Sequence, residues 1–182
     1  MAMPNAATDL CFRSKDGAFG VRLGATARDQ MLGLCVRAGR LETGGVLIGR
    51  YTADRRMAEI ELATGPGTDS RAGRSWLIRG VEGLQRLLDQ WWSGGRGYYL
   101  GEWHFHPHAA PTPSGRDTRQ MRSIAASPEY HCPEPVLLII GGDPAGDFAL
   151  HVEVHTRTGD RVRLGPTDSP PLPHRRRSSV SE

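Results

Sequence analysis

The chain has 182 residues, 38% of them hydrophobic, and a formal charge of +3 carried almost wholly by arginine, since Lys15 is its only lysine. These figures fit one globular domain with a tail. Part of the excess charge sits in "HRRR" near the C-terminus, so the body is closer to neutral, which argues against a dedicated nucleic-acid binder with its clustered basic face. A membrane helix, which needs a run of ~20 apolar residues, is excluded.

Three cysteines, Cys11, Cys35 and Cys132, are too few and too scattered for a disulfide framework. The opening "MAMPNAATDL" has neither the basic nor the apolar region of a secretory leader. A cytoplasmic location is expected.

In chain order, residues 1–8 read as a flexible N-terminus. "LCFRS" and "FGVRL" read as two short strands around the turn signal "KDG". In "ATARDQMLGLCVRAGR", Met31, Leu34, Cys35 and Ala38 recur at helical spacing, and Gly39 is a stop. "TGGVLIGRYT" and "RMAEIELAT" predict a hairpin closed by "ADR". "GPGTDSRAGRS" is a loop without periodicity.

The best helical pattern is "VEGLQRLLDQWW", which puts Val81, Leu84, Leu87, Leu88, Trp91 and Trp92 on one broad face, the tryptophans being expected in the core with room for one beside "SGG" to stay exposed. "GYYLGEWHFH" predicts a strand and "SGRDTRQMRSIAAS" a short helix. "PVLLIIGG" reads as a buried strand, and "FALHVEVHT" and "DRVRL" as closing strands. The domain is expected over 9–165. From Pro166 onward the proline-, arginine- and serine-rich residues 166–182 predict a disordered tail.

Side chains two apart on a strand share a face. Glu102, His104 and His106 therefore point one way, and Trp103 and Phe105 join the core. Pro107 turns the chain, and Ser114 opens a helix whose first turn holds Asp117. Two imidazoles and a carboxylate with one position left for water match a catalytic zinc site. Taken singly, "HFH" is a polar strand edge and "SGRD" a capping box. It is the pairing of the two at fixed spacing that points to a metal. His108 and His131 read as loop histidines. A Cys132–His131 dyad is disfavoured because neighbours on a strand face opposite ways.

His-x-His-Pro followed by Ser-x-x-Asp, with seven residues between the second His and the Ser, resembles the JAMM motif of the JAB/MPN metalloprotease domain. "LETGGVLIG" supplies the family's upstream glutamate as Glu42, and the resemblance spans about Leu23 to Ile140. It implies a mixed α/β fold, with a curved, mainly antiparallel sheet flanked by helices in the JAB/MPN (cytidine-deaminase-like) architecture. It implies one catalytic Zn2+ on His104, His106 and Asp117, with Glu42 as acid/base and Ser114 supporting the oxyanion. Phe105 stands where the family usually has a small hydroxylated residue. Glu102 shares the ligand face and competes with Glu42 for the role of base.

The "GEWHxHP" form resembles stand-alone prokaryotic members associated with bacterial ubiquitin-like conjugation and antiphage operons, including those conjugating a cGAS-like nucleotidyltransferase. The implied activity is an isopeptidase or precursor peptidase acting on a ubiquitin-like or cGAS-like tail, with the cognate activating and conjugating enzymes as further partners. No nucleic acid or membrane partner is expected. The tail would lie extended beside a sheet edge, with "GPGTDSRAGRS" and "SPEYHCPEP" as candidate substrate-facing segments. Alternatives are a sulfur-carrier-protein peptidase, a non-catalytic MPN scaffold, and the RadC-like branch, which the near-neutral body disfavours.

Overall fold

A computed structural model describes residues 8–67, 71–73, 77–78, 84–95 and 97–168. The described strands are β1 (Leu10–Arg13), β2 (Gly20–Leu23), β3 (Thr43–Tyr51), β4 (Met57–Ala63), β5 (Arg71–Ala72), β6 (Leu77–Ile78), β7 (Tyr98–Pro107), β8 (Val136–Gly142), β9 (Phe148–His155) and β10 (Arg161–Thr167). The described helices are α1 (Ala25–Ala38), α2 (Leu84–Ser93) and α3 (Gly115–Ala126), with a single 3-10 turn at Pro128–Tyr130.

Eight of these strands close into a barrel in the order β1-β10-β9-β8-β7-β3-β4-β2, and β5 and β6 form a separate antiparallel ribbon. The fold is mixed α/β as expected, but the expected curved sheet is closed into a barrel. Closure depends on β1, which pairs with β2 on one side and with β10 on the other. Most neighbours are antiparallel, the exceptions being β2 with β4 and β7 with β8.

The same closure moves the expected start of the tail. Phe12 pairs with Pro166 and Cys11 with Thr167, so β10 continues through Pro166. A proline lacks the N–H of a ladder bond but keeps its carbonyl, and so is tolerated where that N–H is not needed. Residues 1–7 and 169–182 lie outside the described residues, as do Val81 and residues 68–70 and 74–75 of "GPGTDSRAGRS".

Strand alternation sorts the apolar residues into two cores. Inside the barrel, Leu100, Trp103, Phe105, Val136, Leu138 and Ile140 meet Ala27, Met31 and Cys35 of α1. Phe105 is fully buried there, so its departure from the family's small residue is absorbed in packing. Outside, Val46, Ile48, Leu137 and Ile139 are covered by Met121 and Ile124 of α3, with Leu87, Leu88 and Trp91 of α2 packed against them. Trp91 thus joins the core, whereas Trp92 is 67% exposed and meets Tyr98 edge-on. The tryptophan beside "SGG" is thus the exposed one.

A register shift between β3 and β7, at Leu47/Ile48, lets two residues of β7 pass where one would pair. This shift sets Tyr99 in the outer core with Leu100 in the inner one. It also puts the Tyr99 hydroxyl within 3.4 Å of Glu102, three residues on.

Candidate active site

β7 and α3 bring the predicted cluster together. Trp103 and Phe105 are anchored in the interior, so the alternating residues Glu102, His104 and His106 lie on the outer face, toward α3. Trp103 is further fixed by its indole N–H, which donates to the Thr64 carbonyl at 2.9 Å. Beyond Pro107 the chain returns along β8. The space that lets residues 109–111 approach β8 is a missing side chain, since a Cβ on Gly141 would lie 2.5 Å from the Ala109 carbonyl oxygen and 2.6 Å from the Pro111 nitrogen.

This short return delivers Ser114 as the N-cap of α3. The Asp117 amide donates to Ser114 Oγ at 3.2 Å, and the Ser114 amide donates to Asp117 Oδ2 at 2.7 Å. The reciprocal bonds satisfy two otherwise orphaned donors at the helix start. They occupy only one oxygen of Asp117. The other, Oδ1, stands 2.9 Å from His104 Nδ1. Capping and cluster formation, which compete as readings of "SGRD", are both met by one carboxylate.

His104, His106 and Asp117 each offer a ligand atom, and the three atoms lie within 4.8 Å of one another. Two imidazole nitrogens and one carboxylate oxygen on a pair of rigid elements suit a divalent transition metal and leave a coordination position open. The donor set therefore fits a resident metal. Burial opposes charge on both His104 and Asp117, but their mutual attraction prevails. It raises the imidazole above its ordinary value, with help from Glu102, and lowers the carboxyl, with help from Ser114.

Glu42 immediately precedes β3, which pairs with β7 so that Thr43 lies opposite Phe105 and Gly44 opposite His104. Its half-buried carboxyl is raised first by burial. Nearby His106 and His104 pull it down and Asp117 pushes it up again, so it sits in the field of the whole cluster. The Glu42 amide donates to the Gly73 carbonyl at 2.9 Å, tying the segment after β5 to the cluster.

Glu102 occupies a different environment. It is 1% exposed and accepts a 2.8 Å bond from Gln120 of α3. Glu102 is thus enclosed, whereas Glu42 is half-buried. His108 and His131 are exposed, both with positive φ. Cys132 is buried, its Sγ 3.7 Å from the Tyr51 hydroxyl, and burial pushes its thiol up to about 11. It is no nucleophile at neutral pH.

Two groups escaped the sequence reading. Gln120 and Tyr99 hold Glu102, and only the helix packing and the strand irregularity reveal them. The second group is on β9, where Glu153 bonds His151 at 2.9 Å and His155 at 2.7 Å, with Arg161 of β10 at 3.0 Å. The alternation in "HVEVH" was its signal. Glu153 and His155 are buried, and the pairing holds the Glu153 carboxyl well below its ordinary range despite burial, which acts the other way.

Known proteins resemble this chain in sequence and in fold. A protein from Enterobacter hormaechei subsp. hoffmannii named CD-NTase/cGAS isopeptidase is 46% identical over 156 residues, covering 86% of each chain. A probable metalloprotease, y4qB, of Sinorhizobium fredii is 36% identical over 107 residues, covering 57% of this chain and 65% of its own. The solution structure of protein DSY2949 from Desulfitobacterium hafniense shares the fold, with a TM-score of 0.51 at 19% identity over 78% of this chain and 86% of the other. The model of the prokaryotic homologs of the JAB domain matches residues 24–153, and the chain belongs to that family.

Proposed function

We propose that the protein is a zinc-dependent isopeptidase. It would hydrolyse the amide joining the C-terminus of a cGAS-like nucleotidyltransferase, or of a ubiquitin-like protein, to its target, or process the precursor of such a tail. The observation that carries this reading is the convergence of His104, His106 and Asp117 with Glu42 in the same electrostatic field. The relative named CD-NTase/cGAS isopeptidase supports the substrate class.

In this reading His104, His106 and Asp117 hold the cation. When bound, the cation supplies Lewis-acid polarisation and lowers the pKa of water toward ~7. Glu42 takes a proton from the attacking water and returns one to the departing amine nitrogen. The Ser114 hydroxyl lends a lone pair to the Asp117 amide and keeps its own proton to donate to the oxyanion.

A closed barrel has no free edge. Among the described residues the β5–β6 ribbon lies outside the barrel, so an extended substrate tail that adds as a strand would pair there, where the Glu42–Gly73 bond holds the segment after β5 beside the proposed base.

The test is cleavage of a lysine-linked conjugate and of a linear fusion bearing the same tail. Activity should vanish with a chelator, return with Zn2+, and be lost in Glu42→Gln. Chelator-resistant cleavage, or an active Glu42→Gln beside an inactive Glu102→Gln, would overturn the assignment.

A further inference from the structure

Glu102 is an ionisable side chain at 1% exposure that the proposed mechanism leaves unused. A carboxylate so enclosed needs compensating partners, and three converge on it. Gln120 donates to Oε2 at 2.8 Å, the Tyr99 hydroxyl reaches Oε1 at 3.4 Å, and His104 Nε2 lies 3.7 Å from Oε2. The first two come from different elements, α3 and the irregular start of β7, and so hold the carboxylate from two directions. The third is the metal-cluster histidine two residues along the same face. His104 thus faces a carboxylate at each ring nitrogen, Nδ1 at 2.9 Å from Asp117 and Nε2 at 3.7 Å from Glu102, a separation that a small shift of the ring would close to a hydrogen bond.

From this arrangement we infer that Glu102 is the positioning residue of the metal centre: it receives the Nε2–H of His104, fixes the ring's tautomer and orientation, and presents Nδ1 to the cation. The inference rests on the metal reading of the cluster given above. Its physical basis is general. A ligating imidazole commonly donates its second N–H to a carboxylate, which locks the tautomer and raises the basicity of the ligating nitrogen, and loss of such a partner weakens metal affinity roughly 10–100-fold. The tautomer matters because a neutral imidazole offers a lone pair at one nitrogen only. With the proton on Nδ1 the ring could not bind through the atom that faces Asp117. Gln120 and Tyr99 then act on Glu102 rather than on the metal, keeping the carboxylate from turning away.

The experiment compares Zn2+ affinity of chelator-stripped wild-type protein, Glu102→Gln and a Gln120→Ala/Tyr99→Phe double variant, by competition with a chromophoric chelator. Thermal unfolding and the 15N shifts of the histidine rings are followed in parallel. Glu102→Gln keeps the side chain's size and should bind Zn2+ about 10–100-fold more weakly while its rings still report a folded protein. The double variant retains the carboxylate but frees it, and should lose affinity by a smaller factor. In the Zn2+-loaded wild type, His104 should carry its proton on Nε2.

Wild-type affinity in Glu102→Gln overturns the inference, as does a Zn2+-loaded His104 protonated on Nδ1. So does Glu102→Gln with unchanged affinity but no cleavage at saturating Zn2+, which would make Glu102 a catalytic residue. Should Glu102→Gln fail to fold, unchanged affinity in the double variant overturns it instead. Failure of wild-type protein to bind Zn2+ at all would overturn the metal reading first, and the inference with it.

Discussion

Ser114 caps α3 and, in the proposed mechanism, also donates to the oxyanion, and substitution can separate the two roles. Its backbone is extended (φ −78, ψ 165), a conformation open to most residues, so changes there introduce no strain. The Ser114 amide still donates to Asp117 Oδ2 whatever the side chain, so the orientation of Asp117 survives. What Ser114→Ala removes is the hydroxyl. As a cap, its loss costs about 1 kcal/mol, or about 2–4 °C in Tm for a domain of this size. As an oxyanion donor, its loss lowers the rate roughly 10²–10³-fold. Ser114→Gly separates the two, because glycine caps within a few tenths of a kcal/mol of serine but has no proton to donate. The expected pattern is a near-native Tm with a deep rate loss for glycine, both losses for alanine, and recovery of both properties in Ser114→Thr. The assays are thermal unfolding of the Zn2+-loaded protein and single-turnover cleavage of an amide-linked conjugate. A glycine variant that cleaves at the wild-type rate refutes the oxyanion role. A threonine variant as slow as alanine refutes it too.

Two further outcomes follow from the surroundings of the site. Gly141→Ala would place a methyl against the backbone of Ala109 and Pro111, so the turn between the histidine strand and Ser114 must shift. The expected result is a loss of about 1–3 kcal/mol together with weakened Zn2+ binding, read by urea unfolding and chelator competition; native affinity would show that the turn does not position the cluster. Glu153→Gln should destabilise the protein at pH 7 by about 3 kcal/mol, because a buried carboxylate is removed from His151, His155 and Arg161. The folded carboxyl is held below its ordinary 4.5. Its contribution is therefore full above that pH and declines as pH falls toward the folded value. Urea unfolding of wild type and variant should converge on acidification, and a constant gap would contradict the ion-pair account.

Much of the site was legible because its signals are local. Strand alternation in "GEWHFH" set the faces of residues 102–106, Pro107 marked the turn, and Ser114 and Asp117 stood at capping spacing. The strands and helices followed their apolar periodicities closely. Glu42 could be named only through family likeness, since nothing in "LETGG" tells which distant strand will lie beside it.

The linear order of residues thus determined which side chains share a face, where helices start, and the chemistry of the donor set, all properties of spacing within about four residues. Tertiary structure decided the rest. The pairing of β1 with β10 closed the expected curved sheet into a barrel and drew Pro166 and Thr167 into it. Packing of α3 over β7 gave the two glutamates different surroundings, enclosing Glu102 against Gln120 and leaving Glu42 half-buried within the field of the cluster. The physical reason is that burial and long-range pairing arise from contacts between segments far apart in the chain, and no local period encodes which segments will meet.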